Sequence, residues 1–184
     1  MSTIYVFDQE LSQVDAIAQN DVILLHDTST GLKKYATIAQ AMGSIGIVTT
    51  TATSLSLTAA THAGRRLIIN TNSTVANAFN LPAATGSGNR YEAVNGLVQT
   101  QGSIVFNVNG SDVFKGVSMM FDSSALATHA TEFFTTNATK ITWNLTGKGG
   151  GVGRDKVVFV DEASGAWGVE VFANCIATPA TPFS

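Results

Sequence analysis

The chain has little charge, a single cysteine and no long apolar run, and each scarcity removes a class of protein. Lys, Arg, Asp and Glu make up 12% of the 184 residues, while 45% are hydrophobic; an ordinary soluble domain carries roughly 25% charge. Such a composition is expected to bury surface against neighbours as well as within one fold. Ten basic against thirteen acidic residues leave a net charge of -3. The only adjacent basic pairs are Lys33-Lys34 and Arg65-Arg66. Binding a phosphate backbone requires clustered cations, so no nucleic-acid partner is expected. Cys175, standing alone, excludes an intrachain disulfide and a cysteine-built metal cluster. No run approaches the roughly 18 apolar residues of a membrane span, and the opening "MSTIYVFDQE" lacks the basic and apolar regions of a secretory signal. Synthesis in a cytoplasm, with no membrane partner, is expected.

Catalytic spacings are missing as well. The stretch "LPAATGSGNRYEAV", Leu81 to Val94, offers a Gly-x-Gly, but a dinucleotide fingerprint needs a third glycine and a following helix. Here strand formers follow, and Pro82, Gly86 and Gly88 fit a sheet corner whose glycines take positive φ. In "TGKGGGVGRDK", Thr146 to Lys156, Gly147-Lys148 is followed by Gly149 where a P-loop needs Ser or Thr. This stretch reads as a flexible hairpin loop. Cys175 sits in the strand-like "VFANCIA", and His26, His62 and His129 are scattered, so neither a nucleophilic set nor a metal site is expected. Asp8, Glu10, Asp112, Asp122, Asp155, Asp161 and Glu162 fall at strand ends and turns, where Asp accepts backbone hydrogen bonds. Trp143 and Trp167 lie on alternating strands and read as core. No catalytic residue and no cofactor are expected.

What is present is β pattern. Apolar runs of four to seven residues, rich in Val, Ile, Thr and Phe, alternate with Gly, Asn, Asp, Ser and Thr. In "KITWNLT", Ile141, Trp143 and Leu145 share one face and Lys140, Thr142 and Asn144 the other. Further strands are expected at "VILLH", "LIIN", "AFNL", "YEAV", "IVFNV", "VSMMF", "EFF", "KVVFV" and "AWGVEVFA". Several of these are apolar on both faces. The predicted fold is all-β, an antiparallel β-sandwich or jelly-roll-like barrel over 55–184. It is preceded by a Ser/Thr/Gly linker at 46–54 and an N-terminal arm at 1–45. The arm is expected to hold a hairpin, "DVILLHDTSTGLKKYATI", and one short helix at Thr37 to Met42. No internal repeat of fixed period is visible, which argues against a solenoid or propeller.

The order of motifs from "LSLTAATHAGRRLIIN" through "FNLPAATGSGNRYEAV" and "SDVFKGVSMMFD" to "TGKGGGVGRDKVVFVDEASGAWGV" and a terminal "ATPFS" resembles a group of small tailed-bacteriophage virion proteins, the head decoration or cement proteins. The resemblance covers about Leu55 to Ser184, and the chain departs from the group's pattern at Arg65-Arg66 and at Gly149-Gly150-Gly151. It implies a non-enzymatic virion structural protein, made in the host cytoplasm. Such a protein would bind the major capsid protein on the outer capsid surface as a homotrimer and stabilise the head. A short tail-fibre or head-fibre domain that binds host-surface glycan is the alternative, and a small hydrolase has the least support. The arm has too few residues to cover both faces of its own strands. Ile4, Tyr5, Val6, Phe7, Ile23, Leu24, Leu25 and Tyr35 are therefore expected to meet capsid or a neighbouring subunit.

Overall fold

The computed structural model describes residues 22–26, 33–37, 46–123, 129–150 and 153–184. The chain divides into two compact units, 1–45 and 46–184. In the first, β1 (Val22–His26) pairs antiparallel with β2 (Lys33–Thr37), Leu24 standing opposite Tyr35. This is the expected hairpin. Apart from Thr37, which ends β2, the expected helix lies outside the described residues.

The second unit is almost entirely β, as the composition predicts. Its strands are β3 (Ile47–Thr50), β4 (Ser54–Ser56), β5 (Arg66–Ile69), β6 (Ala76–Asn80), β7 (Arg90–Asn95) and β8 (Ser103–Asn107). They continue with β9 (Val113–Asp122), β10 (His129–Ala138), β11 (Lys140–Trp143), β12 (Lys156–Ala163) and β13 (Ala166–Cys175). One helical turn, α1 (Ala59–His62), joins β4 to β5. A seven-stranded sheet has the order β10-β9-β13-β12-β7-β5-β3, and a four-stranded sheet the order β11-β8-β6-β4.

The pairing corrects the antiparallel expectation. From β3 to β8 successive strands alternate between the two sheets, so that β3, β5 and β7 become parallel neighbours in one and β4, β6 and β8 in the other. Parallel neighbours need a crossover, and here a strand of the opposite sheet supplies it in place of a helix. Half of the body is thus a short coil. Its turns begin at residues 47, 66 and 90, at unequal intervals, which is why no repeat is visible in the sequence. The Ser/Thr stretch that reads as a linker supplies β3 and the start of β4, one strand to each sheet. The remainder is largely hairpin-like: β9 with β10 and β12 with β13 are antiparallel, whereas β13 lies parallel to β9.

Parallel register stacks like on like. Leu55, Phe79 and Phe106 are in-register neighbours on β4, β6 and β8, and Asn107 donates from its amide to Asn80 Oδ1 at 3.0 Å in the next row. Phe106 then reaches across to Phe159 of the other sheet, ring centroids 5.3 Å apart, so both sheets share one core. Trp143 and Trp167 are fully buried in it, as their alternation predicts. The terminal Pro182–Ser184 segment lies along β11. Thr142 N–H donates to Pro182 O at 2.9 Å, and Ser184 exchanges backbone bonds with Lys140 at 2.8 and 3.0 Å, so that edge is covered.

Candidate interaction surface

The Gly-x-Gly loop of Leu81 to Val94 does cradle an anion, and the anion belongs to the protein. Asp161, on the inward-facing side of β12 and 3% exposed, places its carboxylate inside the 85–87 turn. Its Oδ1 accepts from the amides of Thr85 (2.8 Å) and Gly86 (2.7 Å), while Oδ2 accepts from Ser87 N (3.1 Å), Ser87 Oγ (2.6 Å) and Thr85 Oγ1 (3.0 Å). Gly86 and Gly88 adopt φ of 77° and 72°, which turns successive amides toward one point. Burial works against the charge, but the donors from Ser87, Gly86 and Thr85 outweigh it and hold the carboxyl down at about 2. The loop is a sheet corner with its ligand built in.

The second glycine-rich stretch departs from expectation. It leads from β11 in the four-stranded sheet to β12 in the seven-stranded sheet, so it is a crossover between sheets and not a hairpin loop. Its described glycines and Asp155 are packed, whereas Thr146 and Arg154 are exposed. Gly149 and Gly150 are buried, and Asp155, fully buried, accepts from Gly150 N and from Asn174 N, the latter at 2.7 Å. Desolvation dominates here and pushes the Asp155 carboxyl up to about 6. Asn95 and Gln99 close the cluster, each donating through the chain or side chain to Gly150 O at 3.1 and 3.0 Å. Asp112 likewise accepts from Ala84 N at 2.7 Å. Three of the loop-end acids therefore organise turns.

Cys175 is buried, and its thiol donates to Gly147 O at 3.1 Å; burial pushes it above the usual thiol range. His62 accepts from Thr58 N at 3.0 Å through Nδ1, and burial lowers its pKa. His26 falls on β1 and His129 on β10. Among the described residues no group of three His, Cys, Asp or Glu is placed to hold a metal ion, and no helix is long and apolar enough to cross a membrane.

Four of the eight exposed large hydrophobic residues described, Ile47, Val117, Phe134 and Phe172, lie on the outer face of the seven-stranded sheet. Alternation puts Tyr91, Phe159 and Val169 in the core, so Glu92, Val158 and Glu170 face outward. The register carries one row of side chains across the whole face: Ile47, Arg66, Glu92, Val158, Glu170, Val117 and Phe134. Within it Glu92 is clamped by Arg66 Nε at 2.5 Å and Arg90 at 2.9 Å; burial opposes its charge, but the two guanidinium groups hold it below the usual range. Ile47 and Phe134, the two ends, are each 70% exposed. Val117 and Phe172 are also exposed, and Lys156 lies over the Phe172 ring at 5.0 Å.

Beside this row is an open groove of about 380 Å³ lined by Arg90, Lys115, Val117, Val160, Glu162 and Glu170. Gly116 and Gly168 also line it. A Cβ at Gly116 would collide with the Val169 carbonyl, and one at Gly168 with the Glu162 carboxylate. The two-sided apolar pattern of "VSMMF" and "KVVFV" signalled this face in the sequence. Ile47 was hidden in the apparent linker, and Phe134 in a run whose partners the sequence does not name. Of the residues expected at an interface, Ile23, Leu24 and Leu25 fall on β1 and Tyr35 on β2, while Ile4, Tyr5, Val6 and Phe7 lie outside the described residues. No protein-family model matches the chain, and a search of curated proteins finds no match.

Proposed function

We propose that the protein is a non-enzymatic structural component of a tailed-phage virion, a decoration protein that binds the outer capsid surface as a homotrimer and stabilises the head. The observation that carries this reading is the outer face of the seven-stranded sheet, with Phe134 and Ile47 each 70% exposed on a chain of only 12% charged residues. Phe134, Val117 and Phe172 lie together on β10, β9 and β13, with Ile47 at the far edge, and exposed apolar side chains on a sheet face favour a protein partner. The two-sheet body, read as a sandwich, supplies a rigid plate, and the β1–β2 hairpin, in a separate unit, supplies a second element. Sheet faces and edges suit a mechanical task, in which many weak contacts are repeated by symmetry. Counting copies per particle in purified virions tests the reading. Hundreds of copies on the shell are expected. A few tens or fewer, located on the tail or at one vertex, would replace it with the fibre reading.

A further inference from the structure

The two most exposed large hydrophobic residues described, Ile47 and Phe134, stand at opposite ends of the same cross-strand row and on the same face. They mark the two edges of the seven-stranded sheet, β3 and β10. Neither edge has a strand partner among the described residues, whereas the β11 edge of the smaller sheet is covered by Pro182–Ser184; β3 with four residues and β4 with three are both short, and β10 is the long edge. Proteins ordinarily blunt a long sheet edge with proline, lysine or brevity. The ten-residue β10, "HATEFFTTNA", has no proline and no lysine, and its one irregularity falls between Thr135 and Ala138, past Phe134.

Strand direction is compatible with pairing one edge to the other. Following the parallel and antiparallel steps across the sheet, β3, β5, β7, β13 and β9 run one way and β12 and β10 the other. A second copy placed beside the first in the same sense therefore sets its β3 antiparallel to β10. Gly46 O and Thr50 O accept from Arg66 and Asn70. By the alternation of a ladder, the backbone groups of Ile47 and Thr49 point away from β5, toward the open edge. We propose that β10 of one copy pairs with β3 of the next, with Phe134 opposite Ile47 and Glu132 opposite Thr49. The aromatic and β-branched pair is a favourable cross-strand combination, and the row then continues from copy to copy. The partner is a second copy of this chain, and the interface is head-to-tail, so it leaves no open edge only when it closes as a ring. This inference rests on the self-assembly part of the reading above and names its surface.

Single variants Ile47→Cys and Phe134→Cys, oxidised separately and as a mixture, test it against the buried native Cys175 as background. Directly opposed antiparallel residues lie within disulfide reach. The mixture is expected to give covalent dimer, each variant alone none, and the double variant covalent species up to trimer. Self-linking of Phe134→Cys alone would overturn the head-to-tail geometry, as would an assembly of native size that yields no mixed cross-link; in both cases the decoration reading survives. A wild-type monomer in micromolar sedimentation equilibrium would remove the homotrimer and this interface together. Phe134→Asp is expected to convert the oligomer to monomer with an unchanged circular dichroism spectrum. If that variant fails to fold, Ile47→Asp on the opposite edge gives the same reading. A folded variant that stays fully oligomeric counts against the interface.

Discussion

The Oδ1 atom of Asp161 lies 2.7 Å from the amide nitrogen of Gly86, across 75 residues of sequence, and four further donors converge on the same carboxylate. Asp161→Asn replaces one acceptor oxygen by an NH₂ group that would face donors. Each hydrogen bond to a charged group contributes about 1.5–3 kcal/mol, and the unmade ones carry a desolvation cost. A loss of about 3 kcal/mol in urea unfolding is expected. Gly86→Ala, at φ 77°, should cost about 1–2 kcal/mol. A variant at either position with unchanged midpoint would show that the corner does not depend on the cradle.

The same geometry sets opposite pH limbs. Asp161 is held at about 2 in the fold, below its ordinary carboxyl value. Its contribution is fully present above about pH 4 and is lost as pH falls toward about 2. Asp155 is pushed up to about 6, so its folded form favours the proton. The stability it lends is present below about pH 4 and is lost as pH rises through about 6. Each limb amounts to about 2–3 kcal/mol. Unfolding free energy measured from pH 2 to 8 should peak between the limbs. Asp161→Asn should shrink the acid limb, leaving the part that Glu92 contributes through Arg66 and Arg90, and Asp155→Asn should reduce the fall on the neutral side. An acid limb undiminished in Asp161→Asn assigns it to other groups.

Much of the strand content was legible because each strand carries its own period. Ile141 and Trp143 point inward and Lys140 and Thr142 outward, and no partner is needed to see it. β3 was not legible, because "IVTT" is four residues long with only Val48 turned to the core, and its ladder with β5 lies beyond the helical turn. The coil from β3 to β8 was hidden for a related reason. Parallel neighbours are brought together by crossovers of unequal length, and sequence spacing does not report which sheet a strand joins. The Asp161 cradle was half legible: the glycines announced a turn of positive φ, but nothing in the turn announces a carboxylate 75 residues away. Gly149 and Gly150 read as flexibility, and the structure uses them for closeness.

That closeness gives a direct test of the crossover. A Cβ at Gly149 would stand 3.2 Å from Trp143 Cδ1 and closer still to the Ala173 methyl, on a backbone with φ 84°. Strain in the left-handed region adds about 1–2 kcal/mol and overpacking a further 1–3 kcal/mol. Gly149→Ala should therefore lower the melting temperature by several degrees or more. Gly88→Ala, with similar φ of 72° and no atom within 4 Å of its Cβ, should lose only the first part. Equal losses at the two sites would mean that packing around Gly149 is looser than the geometry requires.

The last expectation concerns residues 1–45. Among the described residues the buried core cluster runs from Leu57 to Phe183, within the 46–184 unit. That cluster is large enough to carry a domain, and a fragment 46–184 should unfold in urea as one cooperative transition with β-type circular dichroism. The hairpin β1–β2 is in the opposite position: two five-residue strands are marginal in water unless something covers them. Ile23, Leu24, Leu25 and Tyr35 are apolar or aromatic residues on those strands, and a neighbouring subunit or the capsid shell would provide cover. The fragment is accordingly expected to keep its fold and lose most of its attachment to capsids stripped of the protein, measured by co-sedimentation. Attachment at undiminished affinity would transfer the tether to the 46–184 body, where the outer sheet face around Phe134 is the next surface to mutate.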